Sequence, residues 1–129
     1  GVEHLANLTA LKHLNLSFTA IRDVGIMRMS TTGSLSALTN LDLSFTQAGD
    51  EALGSVAAFP LANLNLRSCK NVGSTGLRAL AYCTTLERLQ ICGCLSVNAE
   101  GIRALASLNG LKFLGLCRTQ AGAEGVRAL

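Results

Sequence analysis

The chain repeats one short pattern of hydrophobic positions along its length. Its clearest copy is Leu86-x-x-Leu89-x-Ile91, in which polar residues alternate with leucine and isoleucine. The same spacing begins at leucines 11, 38, 61 and 111, so that the five copies are 23 to 27 residues apart. A repeat of this length is one supersecondary unit that buries its apolar face only by stacking on its neighbours, which predicts a solenoid.

The hydrophobic period changes within each repeat. Residues 87–91 alternate, which predicts a short strand with Leu89 and Ile91 pointing into the core. A second apolar set, spaced three residues apart, predicts one buried helix face per repeat. Its members are Ile26/Met29, Leu53/Val56, Leu77/Leu80, Ile102/Leu105 and Val126/Leu129. The predicted fold class is therefore α/β, a solenoid of about five repeats with short parallel strands on the concave face and helices on the convex face.

Two further columns of residues concern the predicted helices. Asp23, Asp50 and Ser74 are expected to cap the helix starts, because their side chains accept hydrogen bonds from first-turn amides. The residue before each apolar helix position is small in every repeat, which predicts close approach between neighbouring helices. These residues are Gly1, Gly25, Ala52, Gly76, Gly101 and Gly125.

The repeats cover residues 1–129 without a linker, which predicts a single array. Residues 1–11 match residues 101–111 position for position, and residues 125–129 match residues 101–105. The chain thus opens and closes inside a repeat, whereas terminal repeats of a solenoid carry polar caps. We expect a fragment of a longer solenoid that lacks both caps.

Composition narrows the class of protein. A hydrophobic content of 49% against 15% charged residues predicts a folded domain and excludes a disordered segment. No apolar run is long enough to span a membrane, and a net charge of +3 does not imply nucleic acid. Five cysteines without a secretory context predict reduced thiols and an intracellular, cytoplasmic location.

A column of small polar residues lies three positions after the last strand leucine of each repeat. Its members are Thr19, Thr46, Cys69, Cys94 and Thr119. We expect these side chains to bond the loop backbone that turns out of each strand. Together with the repeated leucines, this pattern resembles the leucine-rich repeat family over the whole chain.

One segment resembles a narrower group. The run from Leu80 to Cys94, with Cys83 before the strand, is similar to the cysteine-containing subfamily found in F-box substrate receptors. The family resemblance implies a non-enzymatic scaffold for protein interaction. A substrate-receptor part of a ubiquitin ligase and a structural spacer array remain open as alternatives.

Parallel register predicts that equivalent strand residues form rows across the concave face. One row is His13, Asn40, Asn63, Arg88, Phe113, and the next is Asn15, Asp42, Asn65, Gln90, Gly115. The predicted face also carries five cations, Lys12, Arg67, Arg88, Lys112 and Arg118, against the two carboxylates Asp42 and Glu87, and so the whole net charge of +3.

Exposed aromatic and arginine side chains dominate the energetics of protein interfaces. We therefore predict that the stack of strands binds a protein with an acidic segment, which meets the arginines while Phe18 and Phe45 anchor another part of it. The predicted partner-binding residues are His13, Asn15, Phe18, Asp42, Phe45, Arg67, Arg88, Gln90, Phe113 and Arg118.

The sequence gives only weak signals for a disulfide or for catalysis. Cys92 and Cys117 share a row on adjacent strands and are close enough to oxidise, but reduced thiols are the expectation for an intracellular protein. His13, Asp42 and Ser44 are neighbours on the predicted sheet, yet an open sheet provides neither an oxyanion hole nor exclusion of water. The sequence thus predicts no catalytic residues, no metal, no cofactor, no small-molecule substrate, no nucleic acid and no membrane.

Overall fold

A computed structural model describes residues 9–33 and 35–127. Five short strands alternate with five α-helices along the chain. They are β1 (His13–Asn15), α1 (Asp23–Thr31), β2 (Asn40–Asp42), α2 (Asp50–Val56), β3 (Asn63–Asn65), α3 (Ser74–Leu80), β4 (Arg88–Gln90), α4 (Ala99–Ala104), β5 (Phe113–Gly115) and α5 (Gly122–Arg127). A short 3-10 helix, Leu105–Ser107, follows α4. Residues 1–8 of the half-repeat predicted over residues 1–11, and Leu129, lie outside the described residues.

The strands form one parallel sheet in the order β1-β2-β3-β4-β5. Every strand pairs with the next one in the chain, and the register aligns Leu14, Leu41, Leu64, Leu89 and Leu114 in a single row. The two predicted rows of outward residues on either side of these leucines are confirmed by the same register. The helices pack on one another in sequence order, which completes the predicted solenoid.

The core lies between the sheet and the layer of helices. Its central side chains are the strand leucines and the apolar helix set, of which Leu53, Leu77 and Ile102 are fully buried. Leucines at the two ends of the sheet, Leu14 and Leu114, are only half-buried because each has a neighbouring repeat on one side alone among the described residues.

One residue of the apolar helix set is exposed, contrary to the prediction. Val126 in α5 is 53% exposed, although its spacing predicts burial. Among the described residues, α4 is the one helix that packs against α5. Val126 therefore lacks a second helix neighbour that would cover it.

The prediction that Asp23, Asp50 and Ser74 cap their own helices is wrong. These are the first residues inside α1, α2 and α3, and no side chain caps those helices from the preceding position. Their side chains instead reach the following repeat. Asp23 Oδ1 accepts from the backbone N–H of Gly49 at 2.6 Å, and Ser74 Oγ donates to Asn98 Oδ1 at 2.7 Å.

The small-residue column does allow neighbouring helices to approach closely. A Cβ added at Gly101 would lie 2.9 Å from Ser74 Cα, and one added at Gly125 would lie 3.0 Å from Ala99 Cα. Both distances are shorter than a carbon–carbon contact permits, so the spacing between repeats depends on the missing side chain. Gly1 of the same column lies outside the described residues.

Candidate protein-binding face

The outward side of the sheet forms one open pocket with a volume of about 500 Å³. All five strands contribute to its lining, which we call the floor. The floor residues are His13, Leu14, Asn15, Asn40, Leu41, Asp42, Asn63, Leu64, Asn65, Arg88, Leu89, Gln90 and Phe113. Six of the predicted partner-binding residues lie on it, namely His13, Asn15, Asp42, Arg88, Gln90 and Phe113. The prediction omitted Asn40, Asn63 and Asn65, although the row alignment already placed them beside residues that it included.

The other four predicted residues lie in the turns that follow the strands. Phe18, Phe45 and Arg118 occupy equivalent positions in three of these turns, and Arg67 is the residue before that position after β3. We call the equivalent positions Phe18, Phe45, Ser68, Gly93 and Arg118 the rim. Backbone hydrogen bonds continue the sheet into the rim, since Phe18 N donates to Ser44 O at 3.0 Å and Phe45 N to Arg67 O at 2.8 Å.

The last residue of several strands stabilises the turn that follows. Asn15 Oδ1 accepts from Ser17 N at 2.9 Å, and Asp42 Oδ1 accepts from Ser44 N at 2.9 Å. Gln90 Oε1 accepts from Cys92 N at 3.3 Å in the same way. These are side-chain turns of the kind that Asn and Asp favour. Three residues that we predicted as partner contacts therefore each use a side-chain oxygen within the fold.

The same contacts bear on the catalytic alternative. Ser44 Oγ donates to Asp42 Oδ1 at 2.6 Å, so its proton is directed at a carboxylate that already holds the turn. His13 accepts no hydrogen bond from this hydroxyl within the described residues. The Ser–His contact that would activate a nucleophile is therefore missing from this arrangement.

Aromatic and cationic side chains pair with one another across adjacent strands. The rings of Phe18 and Phe45 stack with centroids 4.5 Å apart and an interplanar angle of 8°. The guanidinium carbon of Arg88 lies 4.5 Å from the centroid of the Phe113 ring, which is a cation–π contact. Lys112 lies 3.5 Å from Glu87 in an exposed ion pair, so these two charges cancel locally.

Cys92 and Cys117 form a disulfide, with Cα atoms 4.5 Å apart. The expected proximity of these two residues is confirmed, but the expectation of reduced thiols, which rested on an intracellular location, is wrong in this structure. Cys117 is exposed, and its backbone N–H also contacts Cys92 Sγ at 3.0 Å. The bond joins the turn after β4 to the turn after β5 and lies beside the rim.

The Thr/Cys column bonds the loop backbone, as predicted. Thr46 Oγ1 donates to Leu43 O in its own repeat at 2.6 Å, whereas Cys94 Sγ donates to Leu66 O in the preceding repeat at 3.1 Å. Burial raises the pKa of the Cys94 thiol to about 12, and the neighbouring Cys69 adds to the shift. Burial also raises the pKa of Cys69, against a smaller opposing effect of its hydrogen bond with Thr46. Both thiols therefore remain protonated and serve as structural donors.

Comparisons with known proteins support this architecture. A family described as Leucine Rich repeat matches residues 7–30 and 61–81. Among 32 chains of known structure that match, an internalin from Listeria monocytogenes superposes with a TM-score of 0.57 at 16% sequence identity. That match covers 100% of this chain and 48% of the internalin chain, so the present chain spans about half the internalin's length. The search of curated proteins finds no match.

The fold is that of a leucine-rich repeat solenoid, defined by five parallel strands in one sheet alternating with helices. The two matched segments show that this chain is similar to the leucine-rich repeat family. Proteins of this class are generally scaffolds for protein interaction. No helix in the part of the chain that the structure describes is long and apolar enough to cross a bilayer.

Proposed function

We propose that this chain is a non-enzymatic scaffold that binds a protein partner through its concave sheet. The observation that carries the proposal is the floor, a continuous pocket of about 500 Å³ lined by polar side chains of β1 to β4 and by Phe113 of β5. Because the rows are held in register by the sheet, the pocket is preformed, and a partner would not have to order it on binding.

We propose further that the partner presents an acidic segment. Arg67 and Arg118 are exposed, and neither forms an ion pair within the described residues. Arg88 lies over an aromatic ring and faces no carboxylate there. An acidic segment would supply the missing counter-charge, chiefly as a gain in association rate and selectivity.

The experiment compares Asn63→Trp with Glu51→Trp. Asn63 is on the central strand and lines the floor, whereas Glu51 is an exposed residue of α2 on the helix side. We expect Asn63→Trp to fill the pocket and abolish capture of partners from cell extract, while Glu51→Trp retains the wild-type set. Partners identified by mass spectrometry would then be purified and titrated against both variants. Equal affinity for the two would remove the floor as the binding surface.

Two finer predictions remain proposals. A role as the substrate-receptor part of a ubiquitin ligase rests on the resemblance of the segment from Leu80 to Cys94. An intracellular, cytoplasmic location rests on the odd number of cysteines, three of which are free thiols in the structure. Disulfides are rare in the reducing cytosol, so a cytoplasmic location implies that Cys92 and Cys117 are reduced there. The identity of the captured partners decides between a receptor, a general scaffold and a spacer.

A further inference from the structure

The rim differs from the floor in how its residues are held. Its members all have left-handed backbone conformations, with φ between 56° and 81°. Glycine adopts this conformation most readily, yet only Gly93 is a glycine, and a bulky residue there is unfavourable. Phe18 and Phe45 therefore occupy positions where local backbone preference argues against them. Such outliers are a reason to look for a function.

The two phenylalanines form an apolar surface directed into solvent. Phe18 is 75% exposed and Phe45 43% exposed, although their rings stack on each other. The stack covers one face of each ring and leaves the outer face of Phe18 open among the described residues. A flat, preformed aromatic surface of this kind suits an aromatic or large apolar side chain of a partner.

The opposite end of the rim is cationic. Arg118 is the rim residue after β5, and Arg67 directly precedes the rim position after β3. Ser68 and Gly93 lie between Phe45 and Arg118 and carry little or no side chain. The rim therefore carries no bulky side chain between its aromatic and cationic ends.

We infer that the rim docks an extended peptide segment with an aromatic or large apolar anchor on the Phe18/Phe45 stack and acidic residues at Arg118. Arg67 lies between these ends. Adjacent strands are about 4.8 Å apart, so Phe45 and Arg118, three strands apart, are separated by about 14 Å. An extended chain rises about 3.3 Å per residue, which places the acidic residues about four positions from the anchor.

This inference rests on the proposed function and assigns its acidic partner to the rim. The floor is less suited to an acidic segment, because Asp42 contributes a carboxylate there and Asn15 uses its side-chain oxygen in a turn. The segment would cross the strands along the rim, and the rest of a partner could still enter the floor.

The test begins with a phage-displayed library of random short peptides selected on the oxidised protein. We expect the selected peptides to share an aromatic or large apolar residue and acidic residues about four positions apart. For a synthetic peptide of that kind, Phe45→Ala and Arg118→Glu should each weaken binding by about tenfold or more, because both remove a central contact. Higher salt should weaken binding to the wild type as well.

Controls separate charge and position from general damage. Arg127→Glu makes the same charge change on α5 and should leave peptide affinity unchanged. A peptide in which lysines replace the acidic residues should bind Arg118→Glu better than the wild type. Circular dichroism and thermal unfolding of each variant establish that the fold is intact.

Selected peptides without the anchor and acidic residues, or equal affinity for wild type, Phe45→Ala and Arg118→Glu, would overturn the inference. The floor variant Asn63→Trp keeps the two proposals distinguishable. If Asn63→Trp abolishes partner capture while both rim variants retain it, the concave scaffold stands and the rim assignment fails. If none of the three variants affects capture, both proposals fail.

Discussion

The carboxylate of Asp50, at the start of α2, accepts a hydrogen bond at 3.0 Å from the backbone N–H of Gly76 in α3. The same oxygen accepts from Gly73 N at 2.7 Å. Asp23 makes the equivalent contact with Gly49 one repeat earlier. A carboxylate near a helix start is favourable because unpaired N–H groups and the positive end of the helix dipole lie there. Here the carboxylate comes from the preceding repeat.

Replacing Asp50 with alanine should therefore destabilise the array although Asp50 lies outside the core. We expect the free energy of unfolding to fall by about 2 kcal/mol, because two backbone amides lose a charged acceptor. Urea denaturation followed by circular dichroism measures the change. Glu51→Ala is the matched control, since Glu51 is the next carboxylate in α2 and is exposed. Similar losses in the two variants would contradict this account.

Alanine should have opposite effects at two helical glycines. In Gly101→Ala the new Cβ would lie 2.9 Å from Ser74 Cα, so the two repeats must separate, and we expect a loss of about 1–3 kcal/mol. In Gly54→Ala the Cβ enters open space, and the helix should gain about 0.5–1 kcal/mol. Thermal melts of both proteins test the pair. Stabilisation by Gly101→Ala would mean that the helices are not in close contact there.

The Cys92–Cys117 disulfide should stabilise the last two repeats. Its two cysteines are 25 residues apart, and a closed loop of that size raises the free energy of the unfolded chain by about 3.5 kcal/mol through lost conformational entropy. Urea unfolding with and without a thiol reductant should show a loss of about that size. A thiol assay in denaturant should find three free cysteines before reduction and five after it. Cys117→Ala supplies the control, since reductant should no longer change its unfolding.

The buried Cys94 thiol makes stability depend on alkaline pH. Its pKa is about 12 in the folded protein against an ordinary value of 9.0, so the folded state binds the thiol proton more tightly than the unfolded state. The resulting stability is fully present below pH 9.0 and is lost as the pH rises towards about 12.

Cys94→Thr tests this pH dependence directly, because Thr46 and Thr119 already occupy the equivalent column. The wild type should lose stability with alkaline pH more steeply than the variant, by at most about 1.4 kcal/mol per pH unit. Urea unfolding across the alkaline range measures both slopes. Parallel slopes would exclude Cys94 as the titrating group.

The fold was predictable from sequence because its cause is visible there. Leucines at a fixed spacing can be buried only if the strands align, and the register of Leu41, Leu64 and Leu89 follows from that requirement. The rows of outward residues follow from the alternation of side chains along a strand, so their alignment was predictable as well.

Contacts between repeats were harder to predict from the sequence. The spacing around Asp50 suggested a cap on its own helix, whereas the observed amide donors are 23 and 26 residues further along the chain. Sequence pattern gives local neighbours, and the contact depends on how far one helix start is displaced from the next. The hydrogen bond by which Asn15 stabilises its turn could have been predicted, since an Asn two residues before Ser17 is typical of a side-chain turn.

The disulfide and the phenylalanine stack were predictable in part. Row alignment placed Cys92 beside Cys117 and Phe18 beside Phe45, so their proximity was predictable. Their state was not, because oxidation depends on the redox environment and ring stacking depends on side-chain rotamers.

Asn98 caps α4 from within its own repeat, whereas the starts of α2 and α3 each take an acceptor from an aspartate of the preceding repeat, and this affects how such an array can change in length. A duplicated repeat would bring its own acceptor for the next copy and would receive one from the copy before it. A whole unit that carries Asp23 or Asp50 can therefore be duplicated beside its own copy with these amide contacts kept, whereas a partial insertion would break that match. Outward strand residues take no part in these hydrogen bonds between repeats. Substitutions there can therefore create a new binding surface while the architecture stays the same.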